Sequence, residues 1–345
     1  MLDNFINAEL DKLRSKLQLN NIPEDIIEEK VDSVIDDIIK KLSKDFIKNV
    51  KKHSSSSIRE DNLQKTEYLA RLELKWYKAF DLMEIMIGCC LEIVQEFDDN
   101  NISENKDKYI LLKRFHARSI RIAKEIIILM RNGYADGALA RWRSIFEIIV
   151  IAKFIEQNDN ELSIMYQEYL NIENYNEMIE FQKRCEYLGV SKLPEKEVEN
   201  TTNMRKKLEI RYSSKFIKPY GWASKIFIKD DITFNRIMNE VDYSLWKPYY
   251  KMACNSVHSG PKSVFFNIGL LNMKDLLLVG PSNIGFTDPA QLTSISLLQI
   301  TSLLVKLVPS YEKIITLKAL ENLCFEIPIV FNEIQKQIEI EEKEA

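Results

Sequence analysis

The pattern Arg141-x-Arg143-x-x-x-Glu147 sets two guanidinium groups and a carboxylate inside an otherwise apolar stretch. Charges in such a place are costly unless they are paired and hydrogen-bonded. Arg143 and Glu147 are four residues apart and can meet on one face of a helix. Their order, Arg before Glu, is the less favourable one, so stabilisation within the helix does not by itself account for them. One reading is an internal polar site, with Glu147 as proton acceptor or orienter and Arg141 or Arg143 as anion binder. The other is a structural Arg–Glu pair that ties helices together.

A second constellation lies in Trp246–Ser263. Pro248 opens a helix there, and His258 falls in its last turn, where the negative end of a helix favours a cationic side chain. Lys251, Cys254 or Asn255, and His258 share one face at helical spacing. An imidazole beside a cation and an amide can do acid–base work on a phosphodiester. A capping histidine bonded to the last carbonyls is the alternative.

A third group is Arg114, Arg118, Arg121 and Lys124, on one broad side of a helix. Such a stripe can follow the phosphates of an RNA, and it can equally be a solvated face. Glu125 falls on the same face, four residues after Arg121, and can pair with it. His116 points to the opposite side and reads as structural. The three histidines have no metal-site spacing, so no metal is expected. There is no GxSxG, GxGxxG or GxxxxGK pattern, so no cofactor is expected, and the sequence argues against a nucleotide-dependent enzyme.

The elements that must position these groups are helical. Only 9 Gly and 9 Pro occur in 345 residues, which argues for long helices with few connections. With 48 basic against 52 acidic residues, no global field draws the protein to nucleic acid, so any RNA contact uses a local patch. The five cysteines are odd in number and lack metal-like spacing, and they read as reduced, buried residues of a cytoplasmic protein. The N-terminus lacks the regions of a signal peptide. The apolar runs 145–155 and 295–308 are interrupted and read as too short to span a bilayer, so no membrane contact is expected.

The expected fold class is all-α: a multi-helix bundle with a long N-terminal helical arm and at most a minor hairpin near 264–285. Residues 1–58 form an amphipathic arm of two helices and a linker, the linker placed at the serine run 53–58. A main domain follows over 59–310, then a C-terminal helix and acidic tail over 311–345, with Pro328 as the point where that helix can break. Within the arm, Ile27, Val31, Val34, Ile38, Leu42 and Phe46 recur at three- and four-residue steps, a narrow apolar stripe. It suits a second copy or a partner protein docking on residues 23–50, or packing on its own domain. Helices are expected at about 60–99, 107–132, 136–156, 160–188, 195–212, 235–241 and from Pro248. Another starts at Asp288, with Pro289 in first position. Gly133 reads as a left-handed cap.

Four segments together resemble one bacterial family, the domain of unknown function family 5677. They are 117–150 (ARSIRIAKEIIILMRNGYADGALARWRSIFEIIV), 218–227 (KPYGWASKIF), 249–260 (YYKMACNSVHSG) and 278–292 (LVGPSNIGFTDPAQL). The resemblance covers about residues 65–310. The helical pattern is in turn similar to the HEPN superfamily, whose members are often RNA-cleaving toxins or antiviral effectors. HEPN ribonucleases show Arg, four to six residues, then His. His258 would be that histidine, Lys251 stands in the place of the arginine, and Met252 follows where a polar residue is usual. The resemblance implies a metal-independent endoribonuclease of phage defence, with His258 as general acid/base, Arg143 and Lys251 on the phosphate, and Arg141, Glu147 and Asn255 in support. A non-catalytic protein- or RNA-binding module that self-associates is the alternative.

Overall fold

The computed structural model describes residues 11, 15, 23–95, 105–228, 231–270 and 277–344, and no strand occurs among them. By contacts the chain divides into two units, Met1–Ala70 and Arg71–Ala345. Helix α1, Glu24–Gln95, supplies residues to both. It runs through the serine stretch, so the linker expected at 53–58 is helical instead. Serine costs a helix only a few tenths of a kcal/mol per residue, and strong helix formers lie on either side. In the first unit Phe46 is 66% exposed, as are Ile39, Ile47 and Val50 to lesser degrees. The side chains of Ile27, Val31, Val34 and Ile38, and the first of the two expected arm helices, lie outside the described residues.

The second unit is built around two apolar helices. Helix α2, Lys106–Arg131, has the clean two-sided pattern that the sequence shows: Leu112, Phe115, Ile122, Ile126 and Met130 are buried. Arg114, Arg118, Arg121 and Lys124 are exposed on its other side. It stops at Gly133, whose φ of +81° is the left-handed conformation a glycine adopts without strain. A Cβ there would lie 2.5 Å from Cβ of Pro281, so the close approach of residues 281–282 also requires glycine. Helix α3, Ala135–Gln157, is buried over most of its circumference.

Five helices and two 3-10 turns complete the passage to residue 265. These are α4 (Asn160–Arg184), α5 (Glu195–Arg211), α6 (Phe234–Glu240), α7 (Lys247–Asn255) and α8 (Pro261–Phe265), with turns at Gly221–Ala223 and Ser244–Trp246. The α4 cap is Asp159, whose side chain accepts the Leu162 N–H. Helices α9 (Thr287–Leu307) and α10 (Tyr311–Glu344) pack on each other, and α9 also packs on α2 and α3. Trp142 of α3 donates its indole N–H to the Leu292 carbonyl and the Ser296 hydroxyl, 3.0 Å each, which locks α3 to α9. Trp76, Phe80, Phe286 and Phe331 form an aromatic cluster that joins α1, the start of α9 and α10.

Two expectations change in this region. Pro328 lies inside α10 without ending it, because buried Ile327 and Phe331 anchor the helix on both sides of the missing N–H. Asp288 and Pro289 sit in the first turn of α9 rather than at its cap and first position, since the cap is Phe286. The sequence allows at most a minor hairpin near 264–285, and none forms among the described residues. The segment's backbone groups find other partners: the Ile268 N–H bonds the Asp136 carboxylate at 3.1 Å, and the Gly269 carbonyl accepts from the Ser282 hydroxyl at 2.6 Å. Residues 271–276 lie outside the described residues. Helix α9 is long and apolar enough to cross a membrane by length and composition alone, and 56% of that stretch is buried inside the protein, as in a core helix. Of the five cysteines, all free, Cys90, Cys185 and Cys324 are buried, while Cys89 and Cys254 are half-buried.

His116 is buried, with Nε2 3.0 Å from the Thr301 hydroxyl. Burial lowers its pKa from 6.5 to about 4. The unfolded chain therefore binds this proton more readily than the folded one between those values. Stability is full above pH 6.5 and falls as the pH drops toward 4, by on the order of 3 kcal/mol. Urea unfolding across this range is expected to show that acid slope in the wild type and a slope shallower by about one proton in His116→Gln. Equal slopes would contradict the assignment.

Candidate functional site

The middle of α3 carries a polar row, Arg143 and Glu147, on a largely buried helix. Arg143 Nε donates to the Glu147 carboxylate at 2.9 Å, with the two side chains 23% and 35% exposed. The less favourable order of the pair is compensated from outside the helix. Tyr250 of α7 donates its hydroxyl to the same Glu147 oxygen at 2.8 Å. The Tyr250 ring lies 5.4 Å from the Arg143 guanidinium, within cation–π range. Arg143 Nη1 is 3.2 Å from Nε2 of His258. A guanidinium has no acceptor, so Nε2 accepts this bond and the ring proton of a neutral imidazole sits on Nδ1.

Helix α7 delivers these groups by its spacing. Phe146 of α3 packs on Tyr243 and Tyr250, and Phe234 of α6 closes the aromatic layer over the pair. Helix α7 ends at Asn255, so His258 lies past its cap rather than in its last turn. The His258 N–H still reaches the Cys254 carbonyl, 3.0 Å away, and this bond holds the imidazole against α3. The face presented to α3 is therefore Tyr250, Cys254 and His258, at steps of four. Lys251, expected on that face, is exposed beside it. Sequence reasoning missed Tyr250, and counting back from His258 in fours finds it.

Burial works against the Arg143 charge, but Glu147 and Tyr250 outweigh it and hold the guanidinium more firmly protonated. Burial, then the Glu147 carboxylate that accepts its hydroxyl, push the Tyr250 phenol far up. Burial also raises the Cys254 thiol, against the pull of Arg143, so Cys254 is not poised as a thiolate nucleophile. The arrangement thus offers a cation, a carboxylate that orients it, a protonated phenol and an imidazole with its acceptor nitrogen on the cation.

The other expected residues divide. Asn255 lines a cavity of about 250 Å³ together with His258 and Asp136. Arg141 turns away from the cluster and pairs with Glu125 of α2, whose pKa it lowers. Glu125 also takes Arg121 at 3.5 Å, the pairing that the spacing suggests. Arg114, Arg118 and Lys124 remain in solvent. Among the described residues no group of three His, Cys, Asp or Glu is placed to hold a metal ion.

A larger cavity of about 740 Å³ lies further along α3. Ile151, two turns beyond Arg143, lines it with Arg114, Tyr166, Glu173, Tyr220 and Trp222. The turn that brings in Tyr220 is tight. Tyr220 itself has φ +56°, a left-handed conformation that a bulky residue adopts only when its surroundings impose it. A Cβ on Gly221 would lie 2.0 Å from the Phe216 carbonyl oxygen. Gly221→Ala is expected to cost roughly 1–3 kcal/mol by forcing that turn open, which urea unfolding measures. An unchanged midpoint would mean that the turn gives way freely.

An all-α protein with a solvent-reachable Arg–Glu–Tyr–His cluster on its central helix is the class that fold and site define. Residues 109–274 match the model of a family of unknown function, DUF5677. The match holds the whole cluster and is shorter at both ends than the 65–310 suggested by the quoted segments. No curated protein and no solved structure matches the chain significantly.

Proposed function

We propose that the cluster is the reaction centre of a metal-independent, HEPN-like endoribonuclease, an RNA-processing or toxin effector suited to phage defence. The observation that carries this reading is the 3.2 Å contact between Arg143 Nη1 and His258 Nε2, made by a guanidinium that Glu147 already orients. The guanidinium has further N–H donors beyond those two bonds. A phosphodiester that draws Arg143 onto its oxygens frees Nε2 of His258. The imidazole then takes the proton of the ribose 2′-hydroxyl, the 2′-oxygen bonds to phosphorus, and the bond to the 5′-oxygen breaks. The leaving oxygen takes a proton from solvent. Arg143 stabilises the charge that builds on the phosphoryl oxygens, while Glu147 and Tyr250 keep it in place. Asn255 borders the imidazole, and the α2 row Arg114, Arg118, Arg121 and Lys124 offers phosphate contacts away from the centre.

The test is incubation of the purified full chain with single-stranded RNA in EDTA. The expected products carry 2′,3′-cyclic phosphate and 5′-hydroxyl ends. No cleavage, or cleavage that needs an added metal, contradicts the reading.

One observation favours a second reading. Every contact in the chain Tyr250–Glu147–Arg143–His258 is satisfied within the protein, which also suits a network that fastens α7 to α3. The protein would then be a non-catalytic module, self-associating through the exposed apolar residues of 23–50. Analytical ultracentrifugation of the wild type and of Phe46→Glu checks that association. A concentration-dependent dimer lost in the variant is expected, and a wild type monomeric at every concentration contradicts it.

A further inference from the structure

The larger cavity is lined by four polar side chains that no described residue pairs with. Exposed Arg114 stands at the rim on α2, Tyr166 and Glu173 come from one face of α4, seven residues apart, and Tyr220 from the turn. None of the four has a hydrogen-bond or ion-pair partner among the described residues. Glu173 stands at the solvent-open side of the cavity, and burial, then the nearby Glu177, raise its pKa. Trp222 is only 3% exposed and stands edge-on to Tyr166 at 4.9 Å, so the aromatic wall is fixed before any ligand arrives. A volume of about 740 Å³ lies within the roughly 300–1,000 Å³ of small-molecule sites.

Planar aromatic walls, a carboxylate free to accept N–H donors and an arginine at the rim together suit a nucleobase. Among the four RNA bases only guanine turns two adjacent N–H donors, its ring imino and exocyclic amino groups, toward a carboxylate. That matches both oxygens of Glu173 at once. The site also lies near the reaction centre. Tyr220 faces the cavity and feels the charges of Glu147 and Arg143. Ile151 is eight residues beyond Arg143 on α3, about 12 Å along the axis, within reach of a neighbouring nucleotide on one strand.

We infer that the cavity between α2, α4 and the Pro219–Trp222 turn binds a guanine base, with Glu173 accepting from its two N–H groups, Tyr166 and Tyr220 against its faces, and Arg114 on the adjoining phosphate. As an account of substrate choice this rests on the ribonuclease reading, but the site binds the base whether or not the RNA is cut.

Calorimetric titration of the full chain with GMP, AMP, CMP and UMP tests it. GMP is expected to bind at least about 10-fold more tightly than the other three, equivalent to 1.4 kcal/mol. Glu173→Gln, which keeps size and shape, is expected to remove that preference, and Arg114→Ala to weaken all four nucleotides. His258→Ala is expected to bind GMP as the wild type does. No nucleotide binding, equal binding of the four, or a guanine preference that survives in Glu173→Gln overturns the inference. Guanine-selective binding in a protein that cuts no RNA supports the pocket and removes the nuclease. RNA cleavage without any guanine binding does the reverse.

Discussion

His258→Ala is expected to cut single-stranded RNA about 10²–10⁴-fold more slowly than the wild type, the usual size of a positioned acid–base group. The loss should appear in the rate at saturating RNA, because the imidazole moves a proton and contributes little to holding the strand. His258 is exposed and lies beyond the end of α7, so its removal leaves no cavity. Its stability change should stay within about 0.5 kcal/mol, as for most surface positions. That combination separates the two readings. A structural fastener shows the opposite pattern, with folding weakened and no activity to lose.

The second large effect concerns the scaffold. Trp142→Ala is expected to destabilise the protein by about 3–5 kcal/mol. Trp142 is 1% exposed and fills the space between α3 and α9, and its indole N–H serves two acceptors. Trp142→Phe retains most of the buried ring and leaves the Leu292 carbonyl and Ser296 hydroxyl without their donor. It should cost about 1–3 kcal/mol, the penalty of stranding buried polar groups. Urea unfolding of both variants gives the comparison. If the two cost the same, the hydrogen bonds carry the effect and the volume does not. Because α3 also holds Arg143 and Glu147, Trp142→Ala should lower RNA cleavage only as far as it lowers the folded fraction.

Much of this architecture is legible in local pattern. The two-sided character of α2 and the all-round burial of α3 follow directly from residue type at helical period. The ends of α5 and α6 fall within a residue or two of their expected positions, the ordinary uncertainty of helix termini. Serine and proline misled where neighbours overrode them: the run at 53–58 continues a helix, and Pro328 is carried by buried residues on each side. In the segment near 264–285 the backbone partners are Asp136, 132 residues away from Ile268, and Ser282 within the segment, and neither pairing shows in the local pattern.

The site was legible in part. The step of four from Arg143 to Glu147 marks the pair, and His258 was the one histidine at a helix end. That the two stretches meet depends on how α7 crosses α3, which no local pattern encodes. Arg141 is different: two residues from Arg143 means about 200° around the helix, so the two arginines could never share a face. Its partner Glu125 lay in plain view on α2. Tyr250 was hidden by counting seven residues back from His258 instead of eight. The guanine pocket draws on α2, α4 and an irregular turn, and only the assembled fold brings Arg114, Glu173 and Tyr220 around one space.

The central claim is that Arg143 and His258 act as one chemical unit, and a double-mutant cycle on the cleavage rate, with urea unfolding alongside, tests it most directly. Residues that act as a unit are strongly non-additive: Arg143→Ala combined with His258→Ala should be no slower than the worse single variant, with little further loss of stability. Independent, multiplying effects on rate would contradict the account, as would variants that cut RNA like the wild type and differ from it only in stability.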